Sequence, residues 1–143
     1  MLDPTESAKD RFAQGFNCSQ SVLSAFASKV GIAEETALKL ASPFGGGVAH
    51  QGQVCGAVTG ALMALGLARG SATVEEKDET YRLAEDFIQR FKERHGSILC
   101  RELIDHDIST LAGLQSAREE KVFNTICPGL VKDAAGLVAE FLE

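Results

Sequence analysis

The sequence contains no tryptophan, one tyrosine and three prolines. It also has no run in which apolar and polar residues alternate convincingly. Strands favour aromatic and β-branched residues at a period of two, so these shortages argue against a β-rich domain. Basic residues are scattered, and the formal net charge is −6. A nucleic-acid binder needs a cationic face against phosphate, so nucleic acid is not an expected partner. The opening Met1-Leu2-Asp3-Pro4-Thr5-Glu6 lacks the basic start and apolar run of an export signal. The uncharged apolar run Val54–Ala68 is shorter than the roughly 18–20 residues that span a bilayer, so no membrane span is expected. The four cysteines, at 18, 55, 100 and 127, include no Cys-x-x-Cys and no zinc-ribbon spacing. Without an export signal they point to the cytoplasm, where structural disulfides are rare and grouped cysteines serve catalysis or metals.

What is present suits one all-α domain spanning residues 1–143. The chain is 143 residues long, 45% hydrophobic and 24% charged, which is ordinary for one soluble core. The segment Pro43–Gly70 organises the rest. Its first half is a glycine loop with Gly45, Gly46, Gly47 and Gly52, and its second half is uncharged with Thr59 as the lone polar side chain. A helix apolar on all sides has to be buried on all sides. Gly56, Gly60 and Ala64 recur every fourth residue, a stripe small enough for another backbone to approach closely. Around this central glycine- and alanine-rich helix, periodicity and caps predict a compact bundle of six to eight helices. The flanking helices are expected at Pro4–Ala13, Cys18–Val30, Ala33–Ala41, about Thr73–His95, Ile98–Ile104, Ser109–Glu120 and Pro128–Leu142. Asn17 is the expected cap of the second, and Thr73 with Glu76 has capping-box spacing.

This reading sets every cysteine at a helix start. Cys18 follows the Asn17 cap, Cys55 and Cys100 lie in first turns, and Cys127 precedes Pro128 as a cap. Free amides and the positive dipole end favour thiolate there, and a thiolate is both nucleophile and metal ligand. Gly45, Gly46, Gly47 and Gly52 could cradle an anion or let a substrate approach Cys55. No lysine or arginine lies between Lys39 and Arg69, and no phosphate-loop lysine motif exists, so phosphate is disfavoured. Of three histidines, His95 reads as a dipole partner at a helix end. His50 and His106 sit near Cys55 and Cys100 in sequence and could activate a thiol or ligate a metal.

The motif Cys55-Gly56-Ala57-Val58-Thr59-Gly60 resembles that of a redox-active family named from its pattern, C_GCAxxG_C_C. The segments Asn17-Cys18-Ser19-Gln20, Phe44-Gly45-Gly46-Gly47, Cys100-Arg101-Glu102-Leu103 and Cys127-Pro128-Gly129-Leu130-Val131 are similar to it as well. The resemblance covers nearly the whole chain. It implies the four-cysteine set and a redox role, and it hints at a membrane transporter as partner. It implies no substrate.

Three functions follow as expectations. The first is thiol–disulfide chemistry, as in an oxidoreductase, with a redox partner or small-molecule oxidant and no required cofactor. Cys55 is the preferred nucleophile there, and the three pairings of four cysteines remain open. The second is a zinc or iron–sulfur site built from Cys18, Cys55, Cys100 and Cys127, with His50 or His106 replacing one ligand. The third is a non-enzymatic partner of a transporter.

Overall fold

A computed structural model describes residues 3–143. The described residues are helical throughout, with no sheet; the one extended pairing is an isolated bridge between Val54 and Leu99. The elements in order are α1 (Pro4–Ala13), α2 (Cys18–Val30), α3 (Glu34–Ala41), α4 (Gly56–Arg69), α5 (Lys77–His95), α6 (Cys100–Leu103), α7 (Leu111–Glu119), α8 (Val122–Thr125) and α9 (Cys127–Phe141). Among them, seven are eight residues or longer, and α6 and α8 are single turns. No helix among the described residues is long and apolar enough to cross a membrane.

Local chemistry explains the boundaries. Asn17 caps α2 through a reciprocal box: its Oδ1 accepts from the Gln20 amide at 2.8 Å, and Gln20 Oε1 accepts from the Asn17 amide at 3.0 Å. Gly31 ends α2 in the left-handed conformation at φ 82°, where a side chain would be strained. The expected box at Thr73 does not start α5. Thr73 donates to the Glu76 side chain rather than accepting from a helix amide, and a 3₁₀ turn, Val74–Glu76, comes before Lys77. Similarly, Val54 pairs with Leu99 instead of joining the central helix, so α4 begins at Gly56 with Cys55 as its cap.

The central helix is buried on one broad side rather than all round: Thr59, Leu62 and Met63 are half-buried, and the chain is exposed beyond Leu65. Ala57, Val58, Ala61 and Ala64 are fully buried, whereas Leu67 in the last turn is 45% exposed. Its small-residue stripe receives α2 backbone to backbone. A Cβ on Gly60 would stand 2.5 Å from the Ser19 carbonyl oxygen, and one on Gly56 would stand 2.9 Å from the Ser19 amide nitrogen and 3.1 Å from Cys18 Cβ. Thr59 Oγ1 donates to Ser19 Oγ at the same crossing, 3.1 Å away. The core then continues through Phe26, Phe87, Phe91, Val131 and Val138, all fully buried. A second, smaller cluster gathers Cys100, Ile104, Ile108, Ala117, Val122 and Cys127 beside it.

Candidate functional site

Each cysteine occupies a helix start, shifted by at most a few residues from the expected position. Cys18 is the first residue of α2, Cys55 caps α4, Cys100 opens α6 and Cys127 opens α9. The α2–α4 crossing places Cys18 against Gly56, the residue next to Cys55. The Val54–Leu99 bridge does the same for the second pair. Cys55 N donates to Ile98 O at 2.7 Å, and Cys100 N donates to Gln53 O at 2.7 Å. Residues flanking a bridged pair point to the same face, so Cys55 and Cys100 are diagonal neighbours there. Gly47 leaves room for this: a Cβ on it would lie 2.7 Å from Cys100 Cβ.

All four cysteines line one cavity of about 730 Å³. Phe12 and Phe16 come from the α1–α2 corner, Leu103 and Ile104 from α6, Phe123 from α8 and Leu130 from α9. Among the described residues no Asp, Glu, Lys or Arg lines it. All four thiols are free.

The glycine loop forms one wall. Gly45, Gly46, Gly47 and His50 line the cavity, while Gly52 packs against Arg101, with a Cβ there 3.2 Å from Arg101 Cβ. Five consecutive residues, Gly46 to His50, have positive φ: 64°, 67°, 66°, 50° and 63°. Three of them carry side chains, and left-handed backbone costs such residues roughly 1–2 kcal/mol each. Long backward bonds hold the turn, including Ala49 N to Pro43 O at 2.9 Å and Gln53 N to Gly47 O at 2.9 Å. The amides of residues 48–53 all donate within the loop.

Helix-start amides act on one of the four thiols, Cys55, and burial outweighs them there. It pushes Cys55 up to about 11 against the amides of Ala57 and Val58 that pull it down. Burial, followed by the neighbouring Cys55 and Cys127, pushes Cys100 up to about 12. Against the ordinary value of 9.0, the Cys55 rise opposes the thiolate by roughly 3 kcal/mol, more than a helix terminus returns. Cys18 is raised well above its ordinary value, first by its hydrogen bond with Cys127, then by burial. Cys127 alone is lowered, because the Cys18 thiol is its hydrogen-bond partner. Cys18 and Cys127 are therefore a coupled pair in which Cys127 is the more acidic thiol, with Cys55 and Cys100 both raised by burial alongside.

The histidines separate. His50 is exposed at the cavity wall. His106 is not among the lining residues; its Nε2 pairs with Glu120 and its Nδ1 with the Ile104 carbonyl at 2.6 Å. His95 pairs with Asp133 at 3.0 Å, at the end of α5. No group of three or more His, Cys, Asp or Glu among the described residues is arranged to hold a metal ion. The aromatic wall was not legible as part of a site. Phe12, Phe16 and Phe123 are spread over three elements, and none belongs to the cysteine segments.

The model of one family, described as "Putative redox-active protein (C_GCAxxG_C_C)", matches residues 16–141. No curated protein and no solved structure matches the chain.

Proposed function

The chain belongs to the C_GCAxxG_C_C family, and on that premise we propose that it is a thiol–disulfide protein whose exchanging pair is Cys18 and Cys127. The observation that carries this reading is that Cys18 packs against the cluster holding Cys127 in a cavity lined by all four cysteines, and that the hydrogen bond between the two raises Cys18 and lowers Cys127. The thiolate is the attacking species, so Cys127 takes the nucleophilic role, ahead of Cys55. Both are buried, Cys55 at 3% and Cys127 at 6% exposed, but burial pushes Cys55 up to about 11 whereas Cys127 is lowered. Cys18 is half-buried beside it and resolves the intermediate. Gly45, Gly46 and Gly47 contribute by shape, leaving space for Cys100 and for the ligand. Pairwise sulfur chemistry also suits a donor set that is not arranged for a metal.

The test is reaction of the reduced protein with a small disulfide, followed by thiol count. Wild type loses two thiols. Cys127→Ser loses its fast-reacting thiol, Cys18→Ser stalls as a mixed disulfide, and Cys55→Ser behaves as wild type. Equal loss of reactivity in Cys55→Ser and Cys127→Ser would reject the assignment.

A further inference from the structure

The lining of the thiol cavity narrows the substrate, on the assumption that the thiol-exchange reading above holds. The cavity, about 730 Å³, has the size of a small-molecule site. Aromatic and aliphatic side chains from α1, α6, α8 and α9 form its body, and no formally charged side chain among the described residues lines it. No lysine or arginine acts on any of the four thiols. The helix starts that converge here favour negative charge on a thiol, and Cys127 is the one of the four that is lowered. A carboxylate-bearing ligand such as glutathione would find no lysine or arginine in the wall, where His50 is the one basic side chain among the described residues, and would approach a chain of net charge −6. Losing water without a paired cation is costly for a carboxylate.

We propose that the cavity takes an uncharged small molecule with an aromatic or aliphatic body, in its simplest form a neutral organic disulfide. The ring packs among Phe12, Phe16 and Phe123, and the disulfide meets Cys127. The Cys127 thiolate attacks one ligand sulfur; the ligand S–S bond breaks and one half leaves as thiolate. That thiolate takes the Cys18 proton. Cys18 then attacks the Cys127 sulfur of the mixed disulfide, and the second half leaves as thiolate. The protein gives up two electrons as the Cys18–Cys127 disulfide forms, and the ligand gains them as one thiol and one thiolate.

Two probe pairs test this on the reduced full-length chain. For reaction, neutral 2,2′-dithiodipyridine is compared with anionic 5,5′-dithiobis(2-nitrobenzoate), each rate divided by that of free cysteine. For binding without reaction, neutral 2-naphthol is compared with anionic 2-naphthoate by equilibrium dialysis. The neutral disulfide is expected to be favoured by at least about tenfold, and naphthol alone to be retained. Phe123→Lys, which adds a cation to the wall, should reverse both preferences. Retention of naphthoate as good as naphthol, or no retention of naphthol, overturns the ligand class. Equal normalised rates for the two disulfides also overturn it and leave the exchange reading standing. Retained naphthol with neither disulfide reacting faster than in unfolded protein overturns the exchange reading and keeps the ligand class.

Discussion

Cys18 and Cys127, the first residues of α2 and α9, line the same cavity, and hydrogen bonding between their thiols raises Cys18 and lowers Cys127. Their helices come from opposite ends of the chain. The pairing therefore exists only when α9 is docked against α2, and sulfur reactivity reports on the integrity of the fold.

The Cys18–Cys127 hydrogen bond predicts how alkylation of Cys127 depends on pH. In wild type its rate profile lies below the ordinary thiol range, since Cys127 is lowered. In Cys18→Ala the donor is gone. A hydrogen bond that favours the charged form lowers an acid's pKa, so removing it should move the profile to higher pH. Iodoacetamide rates with site-resolved mass spectrometry measure this; an unmoved profile would show that Cys18 does not support the thiolate.

Burial of Cys55 and Cys100 predicts the alkaline side of the stability curve. Both are raised in the folded protein, to about 11 and about 12. A raised group keeps its full contribution below its unfolded value, near 9.0, and loses it as pH climbs through the folded value. Urea midpoints of the reduced protein should hold up to about pH 9 and fall steeply above it. Cys55→Ala, though less stable at pH 7 through lost packing, should show a shallower fall.

The Gly60–Ser19 approach predicts a pair of glycine variants with opposite signs. Gly60→Ala puts a methyl 2.5 Å from the Ser19 carbonyl oxygen and has to push α2 away, at about 1–3 kcal/mol. Gly66→Ala, in the same helix with nothing within 4 Å, should stabilise by roughly 0.5–1 kcal/mol. Chemical denaturation of both variants checks this. A neutral Gly60→Ala would mean that α2 and α4 are not in backbone contact.

The Asn17 box predicts a cost of about 1 kcal/mol for Asn17→Ala. Since Cys18 is the next residue, fraying of that turn should also slow exchange at the Cys18–Cys127 pair. Measuring stability and thiol reactivity together separates a capping effect from a general loss of fold.

Much of this arrangement could be read from residue order, because it rests on local rules. Asn17 and Gly31 bracket α2, and the Gly56–Gly60–Ala64 spacing foretold close helix contact. The cysteines stand at helix starts because caps and prolines mark those starts. Other features depend on tertiary contact and left no local trace. The Val54–Leu99 bridge is a single pair, too short for alternation. Three side-chain-bearing residues, Val48, Ala49 and His50, adopt positive φ because the surrounding loop bonds impose it. The thiol acidities depend on burial at Cys55 and Cys100 and on the Cys18–Cys127 contact, none of which is written in local sequence. The partner of His106 was equally out of reach of sequence: its ring bonds Glu120, fourteen residues on, and it is not among the lining residues of the cavity.

The most direct measurement is disulfide mapping after oxidation by one equivalent of a small disulfide, with alkylation of the remaining thiols before unfolding. The account predicts one disulfide, Cys18–Cys127, with Cys55 and Cys100 recovered as alkylated thiols. A disulfide between any other two cysteines, or four unpaired thiols, would contradict it.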